Sequence, residues 1–198
     1  MANLHNTLTL CTLSLLLWSV AGAEPGHKFY RHMSPTSLRL HEEKLTHIRV
    51  YLHDILSGTN PSAVRIAQAE STSTSPSFFG QLVMVDDPLT DGPEPESQEV
   101  GRAQGVYGFA DQGEIGLSVF FNFVFSQGEF NGSTLSVMGR NVVQAEVREM
   151  SIVGGSGAFR FARGYAQASS HTVDTSTGDA IVEYNLYVLY NDDSSASS

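Results

Sequence analysis

Sulfur chemistry is nearly missing from this chain: the one cysteine among its 198 residues, Cys11, sits in a leading apolar run. Beyond that run there is no disulfide framework, no thiolate metal site and no cysteine nucleophile, so packing and hydrogen bonding must hold the fold. Positive charge is scarce as well. Lys and Arg number 11 against 21 Asp and Glu, a formal net charge of −10 at pH 7. Such a surface repels phosphate backbones and anionic headgroups, which argues against nucleic-acid and membrane partners. After residue 23 no apolar run approaches the ~20 residues of a spanning helix. No Gly-x-Ser-x-Gly elbow occurs, which speaks against a serine hydrolase. His27, His32, His41, His47, His53 and His171 are scattered, and no pair has the spacing to fix a metal on one strand face beside a carboxylate, so no metal is expected.

What is there begins with Leu8–Val20, an almost unbroken apolar run followed by Ala21-Gly22-Ala23 and then Glu24-Pro25. This reads as a secretory signal peptide spanning residues 1–23, and implies an extracellular protein. Residues 24–44 are polar and irregular, expected to form a loose N-terminal arm, and residues 191–198 a disordered tail. Asn131-Gly132-Ser133 is the one sequon with an allowed middle residue, because Pro61 blocks Asn60-Pro61-Ser62. In a secreted chain Asn131 is a candidate glycosylation site in a turn.

From Leu45 onward the pattern has period two. Ile48, Val50 and Leu52 alternate with His47, Arg49, Tyr51 and His53 before Ser57-Gly58-Thr59-Asn60-Pro61 ends the run. Further strands are expected at Val64–Ala69, Phe79–Asp86, Arg102–Ala110, Leu117–Ser126, Ser133–Met138, Val142–Val153, Phe159–Ala168 and Ala180–Tyr190. Turn clusters separate them, and Asp91–Glu99 is an acidic, proline-rich loop. Eight or nine short, regularly spaced strands without an amphipathic helix predict an antiparallel all-β sandwich or barrel, with residues 45–190 as its domain. Gly154-Gly155-Ser156-Gly157 has no following Lys and no helix, so it reads as a hairpin turn needing positive φ rather than a phosphate cradle.

Parity then singles out polar residues that a half-buried strand does not need. Asp54 shares the face of Ile48, Val50 and Leu52; Asn141 follows Leu135, Val137 and Gly139; Arg148 shares parity with Met150 and Ile152. An apolar lumen with an acid, an amide and a guanidinium at one mouth is how a small-molecule pocket is built. Plainer roles stand beside each: Asp54 capping the Ser-Gly turn, Arg148 pairing with Glu146 or Glu149, Asn141 in a turn, and Tyr107 and Phe109 in the core.

The segments "HIRVYLHDILSGTNPSAV", "FFGQLVMVDDPLTDGPE", "GRAQGVYGFAD", "FNFVFSQGEFNGSTLSVMGRN", "VREMSIVGGSGAFRFARGYAQA" and "GDAIVEYNLYVLY" resemble plant dirigent proteins. The likeness runs from about Leu45 to Tyr190 in unbroken order. It implies an eight-stranded antiparallel β-barrel related to allene oxide cyclases, a homo-oligomer (trimer or dimer), secretion to the apoplast and one pocket per barrel. It also implies a function in lignan biosynthesis: phenoxy radicals of a monolignol such as coniferyl alcohol, made by an external laccase or peroxidase, are held so that they couple to one enantiomer. No oxidative centre and no cofactor are implied. The family's pocket acid falls on Asp54 in "LHDI", its arginine on Arg148 in "VREM" and a pocket tyrosine on Tyr107. The pattern departs at Asn141, where lignan-forming relatives usually carry a second acid, and at Phe109, often a second tyrosine. A carboxyl in an apolar lumen has its pKa raised and can act as general acid on a quinone methide; that role falls to Asp54, with Arg148 orienting an oxygen and Tyr107 a ring. One acid suits one ring closure, so the alternative is a cofactorless lyase of pterocarpan-synthase type acting on an isoflavanol. A non-catalytic wall or defence binding module is a further alternative.

Overall fold

Alternation of buried and exposed side chains makes the strands of this molecule, with the buried set on the inside of the curled sheet. The computed structural model describes residues 31–38 and 43–191; the expected signal peptide, most of the arm, and residues 192–198 lie outside the described residues. The strands are β1 (Glu43–Asp54), β2 (Ala63–Gln68), β3 (Gln81–Thr90), β4 (Glu99–Phe109), β5 (Gly116–Phe125), β6 (Thr134–Val142), β7 (Arg148–Ser156), β8 (Arg163–Val173) and β9 (Ala180–Asn191). Short 3₁₀ turns complete the described structure, which contains no α-helix; one of them, Pro35–Leu38, is exposed throughout. In β3 the side chains of Val83, Val85, Asp87 and Leu89 are buried, while Leu82, Met84 and Asp86 face out. Strand β5 buries Val119, Phe121, Phe123 and Phe125, and β9 buries Tyr184, Leu186, Val188 and Tyr190.

All pairings are antiparallel, in the order β1-β9-β8-β7-β6-β5-β4-β3. Two residue pairs between β1 and β3, Tyr51↔Thr90 and Leu52↔Leu89, join the ends of that row. The result is a closed eight-stranded barrel, as expected, and closure removes the exposed edges of an open sheet. The ninth strand, β2, lies along the other half of the same β3 edge, pairing Ala63 with Val85 and Gln68 with Gln81.

The two ends of the barrel differ. At one, the connections after β5 and β7 bring Phe130 and Phe159 against Phe125 and Tyr190, with ring centroids 4.7 Å apart for Phe130–Phe159, 5.3 Å for Phe159–Tyr190 and 5.7 Å for Phe125–Phe159. These rings plug that end. At the other, β6 and β7 pair only between Thr134–Met138 and Ser151–Ser156. Beyond Met138 the two strands part, and Met150 packs where a side chain at Gly139 would stand, 2.9 Å from the ideal Cβ position.

Two expectations are corrected. The strand expected over Val142–Val153 is broken: β6 ends at Val142 and the chain turns through Val143–Val147 before β7 starts. The Ala145 N–H closes the turn on the Val142 carbonyl at 3.0 Å, and Arg148 folds back to donate to the carbonyl of Val143 at 2.9 Å. The Gly-Gly-Ser-Gly segment is also mostly strand. Gly154, Gly155 and Ser156 end β7, and of the four only Gly157 takes a positive φ, +63°. Gly155 serves close approach, since a Cβ there would meet the Thr134 carbonyl oxygen at 2.4 Å.

Outside, Val64, Met84, Val106, Phe120 and Met138 are successive cross-strand partners on β2 to β6. Four of these five are 43–48 % exposed, an apolar row on the barrel wall.

Phe159 is fully buried at the centre of the plug. Phe159→Ala should therefore lower the folding free energy by about 3–5 kcal/mol, as for other buried aromatic truncations, read as a lower midpoint in urea denaturation.

Candidate functional site

The end opposite the plug holds a cavity of ≈ 320 Å³ whose wall is mainly apolar: Leu52, Ile115, Leu117, Val119, Phe121 and Val182 supply most of it. All five pocket residues read from the sequence line it: Asp54, Tyr107, Phe109, Asn141 and Arg148. Each sits at the strand end nearest the opening. Asp54 closes β1, Tyr107 and Phe109 close β4, Asn141 lies near the end of β6 and Arg148 opens β7. The antiparallel arrangement brings these ends together although up to 94 positions separate them in the chain, from Asp54 to Arg148.

Asp54 accepts a hydrogen bond from the Tyr107 hydroxyl on Oδ2 at 3.1 Å, while its Oδ1 is buried without a partner. Burial dominates the carboxyl's acidity and pushes its pKa up to about 6; the Tyr107 bond opposes this and the Asp179 charge adds to it. Asp54 does not cap the Ser-Gly turn. That role belongs to Asp179, which accepts from the backbone N–H of Leu56 and Ser57 at 2.9 and 3.0 Å and from Ser57 Oγ at 2.5 Å. Tyr107 is raised far above the usual phenol range, first by burial and then by the Asp54 charge, so it remains a neutral donor. Its ring meets Phe109 edge-on at 6.0 Å and Phe121 at 6.5 Å.

Arg148 pairs with neither Glu146 nor Glu149. It is 4 % exposed, and one terminal nitrogen donates to Val143 O and to Ser170 Oγ at 2.8 Å. Its Nε and other terminal nitrogen are buried with no partner. Burial lowers its pKa, yet a guanidinium stays protonated. The Oδ1 of Asn141 is likewise buried and unpaired. A buried polar atom without a partner costs free energy, so these groups mark where a ligand's oxygens and hydroxyls can be satisfied. Among the described residues no three His, Cys, Asp or Glu side chains converge to hold a metal ion. Asn131 is exposed in the connection between β5 and β6, on the plugged side.

Residues 45–189 match the family model described as "Dirigent-like protein". The chain belongs to the dirigent-like protein family. It is 51 % identical over 180 residues to pterocarpan synthase 1 of Glycyrrhiza echinata, covering 90 % of this chain and 94 % of that protein. It is 48 % identical to dirigent protein 21 of Arabidopsis thaliana, covering 87 % and 84 %. The solved structure of the pterocarpan synthase dirigent protein GePTS1 superposes with a TM-score of 0.74 at 49 % identity, covering 82 % of this chain and 90 % of that one.

Sequence parity missed two residues of this dirigent-family site and one buried carboxyl behind it. Tyr184, fully buried on β9, lines the cavity, as does Ser170, which holds Arg148. Asp87 on β3, outside the cavity wall, is a second buried carboxyl and is acted on by the Asp54 charge. The alternation of Val83, Val85, Asp87 and Leu89 was the signal that could have found it.

Asp54 makes stability depend on pH. Its pKa is 3.8 unperturbed and about 6 in the fold, so its contribution is full below about pH 4 and is lost as pH rises through 6, a change of about 3 kcal/mol. Asp54→Asn should remove that part of the decline, checked by urea denaturation at a series of pH values from about 4 to 7.

Proposed function

We propose that this protein is a cofactorless lyase of pterocarpan-synthase type, which dehydrates an isoflavanol through a quinone methide and closes a ring. The observation that carries this reading is one protonatable carboxyl, Asp54, in an enclosed apolar cavity that also holds the unpaired donors of Arg148. Similarity at 51 % and 47 % identity to pterocarpan synthases of Glycyrrhiza echinata and Glycine max supports it. The order of preference read from the sequence, radical coupling first, is thereby reversed.

The chemistry is proton transfer without oxidation. Protonated Asp54 donates to the substrate's benzylic hydroxyl, the carbon–oxygen bond breaks with its electrons leaving on water, and the electron-rich phenol ring spreads the charge as a protonated quinone methide. A neighbouring phenolic hydroxyl then attacks that carbon, a new carbon–oxygen bond forms, and the released proton returns to Asp54. Water is the net loss. Arg148 binds a substrate oxygen through its free N–H groups, Asn141 accepts from a substrate hydroxyl, and Tyr107 and Phe109 hold the ring planes. A neutral Asn141 offers no second proton to the substrate, which fits a single ring closure. In the mildly acidic apoplast, where we place the protein, Asp54 is kept protonated.

A second reading, stereoselective coupling of monolignol radicals supplied by a laccase or peroxidase, is favoured by the 48 % identity to dirigent protein 21. We also propose that another copy of this chain covers the outer apolar row of Met84, Phe120 and Met138, since contiguous exposed apolar surface marks association sites.

Incubation with a racemic isoflavanol and no oxidant should give one enantiomer of a cyclised, dehydrated product by chiral chromatography. Enantiomeric excess seen only with coniferyl alcohol and laccase would move the assignment to radical coupling, and neither product would leave a binding module. Asp54→Asn should lower kcat by about 10²–10⁴-fold, the range of a general acid. Arg148→Met should lower kcat/KM by about tenfold or more, the worth of a charge-assisted hydrogen bond.

A further inference from the structure

Asp87 is fully buried and has no part in the chemistry above. The seam that closes the barrel explains where it stands. Tyr51 pairs with Thr90 and Leu52 with Leu89; the same antiparallel register, carried two residues on, sets Asp54 opposite Asp87. The ladder stops short of them at Pro88, which lacks an N–H to continue it. Ser62, just ahead of β2, fills the gap: its hydroxyl is 2.6 Å from Asp87 Oδ1 and 3.3 Å from the His53 carbonyl, and it accepts from Ile55 N–H at 3.2 Å. Its carbonyl accepts from Asp86 N–H at 2.9 Å. Asp54 Oδ1 and Asp87 Oδ2 are both buried acceptors with no donor. A proton on either carboxyl would leave a buried acceptor better satisfied, and two carboxyls whose charges act on each other in an apolar interior ionise in separate steps.

We propose that Asp54 and Asp87 titrate as one coupled carboxyl pair, with Asp87 a positioning residue that keeps a proton available to Asp54 after the pair has lost its first. In the step itself a proton passes from the Asp87 carboxyl to the Asp54 carboxylate, and nothing else changes hands. The groups acting on the pair agree with this. Asp87 is raised to about 8, first by burial and then by the Asp54 charge, with Asp86 adding and the Ser62 bond and Arg102 opposing. Asp54 feels Tyr107 and Asp179, Tyr184 feels both carboxyls and Arg148, and His53 is turned to Thr90 Oγ1 at 2.7 Å. The pair therefore holds its last proton at a higher pH than Asp54 would alone.

This deepens the lyase reading and rests on Asp54 being its acid, so the test has an arm that needs no turnover. Full-length protein labelled with ¹³Cγ-aspartate is titrated by NMR from about pH 4 to 10, with Asp54→Asn and Asp87→Asn assigning the two signals. Asp54→Asn should lower the Asp87 midpoint by about one pH unit or more; an unmoved midpoint overturns the pair whatever the enzyme does. In kinetics, Asp87→Asn should shift the alkaline fall of isoflavanol kcat/KM to lower pH, and Ser62→Ala, which removes a bond to the ionised Asp87, should shift it to higher pH. A purely structural Asp87 would leave both profiles on the wild-type midpoint, and that result rejects the proposal. If NMR coupling is intact but no variant or wild type turns over isoflavanol, the lyase reading has failed and the pair stands.

Discussion

Burying carboxyl groups inside a closed hydrogen-bonded cylinder governs this molecule. Once β1 meets β3 the interior has no sheet edge and little water, so every polar group there must find a protein partner, a ligand or a proton. Asp179, at the surface, is satisfied by two backbone N–H groups and a hydroxyl and is held below its ordinary pKa. Asp54, which pairs with Ala180 next to Asp179 in the β1–β9 ladder, has a single phenol for company and moves the opposite way. Two chemically identical side chains thus acquire opposite behaviour from their surroundings alone.

The barrel can carry such groups because its ends are divided between a packed plug and an open cavity. Aromatic rings from the connections after β5 and β7 seal one end. At the other, β6 and β7 part after Met138, and the space between them admits Asn141 and Arg148 with polar atoms left unpaired. The free-energy cost of those unpaired atoms is offset by a core that runs through every strand of the ring. Unpaired buried polar atoms are concentrated where the ladder is incomplete.

Much of this was legible in the chain. Period-two alternation located the strands, and parity placed Asp54, Asn141 and Arg148 on the inner face because a side-chain period of two leaves no other choice. The break between β6 and β7 was not legible, since Val142, Val143 and Val147 look like continuous strand; the turn is held by Ala145 N–H on the Val142 carbonyl and by Arg148 reaching back to the Val143 carbonyl, contacts without a local pattern. The Gly-Gly-Ser-Gly segment misled for a related reason, because Gly155 is required by the nearness of Thr134 on a neighbouring strand. Asp87 escaped notice because the strand was expected to end at Asp86, while its neighbourhood is set by β1, more than thirty positions earlier.

The Asp179 carboxylate ties the segment after β1 to the segment before β9, and the stretch from Asp174 to Gly178 hangs from that knot over the cavity. Gly178 N–H closes the stretch on the Asp174 carbonyl at 2.7 Å, leaving the intervening side chains exposed. The doorway and the acid are therefore built from separate pieces of backbone. Residues at the doorway can change size or polarity while the interior around Asp54 keeps its geometry, so under the proposed function selectivity and reactivity are separable.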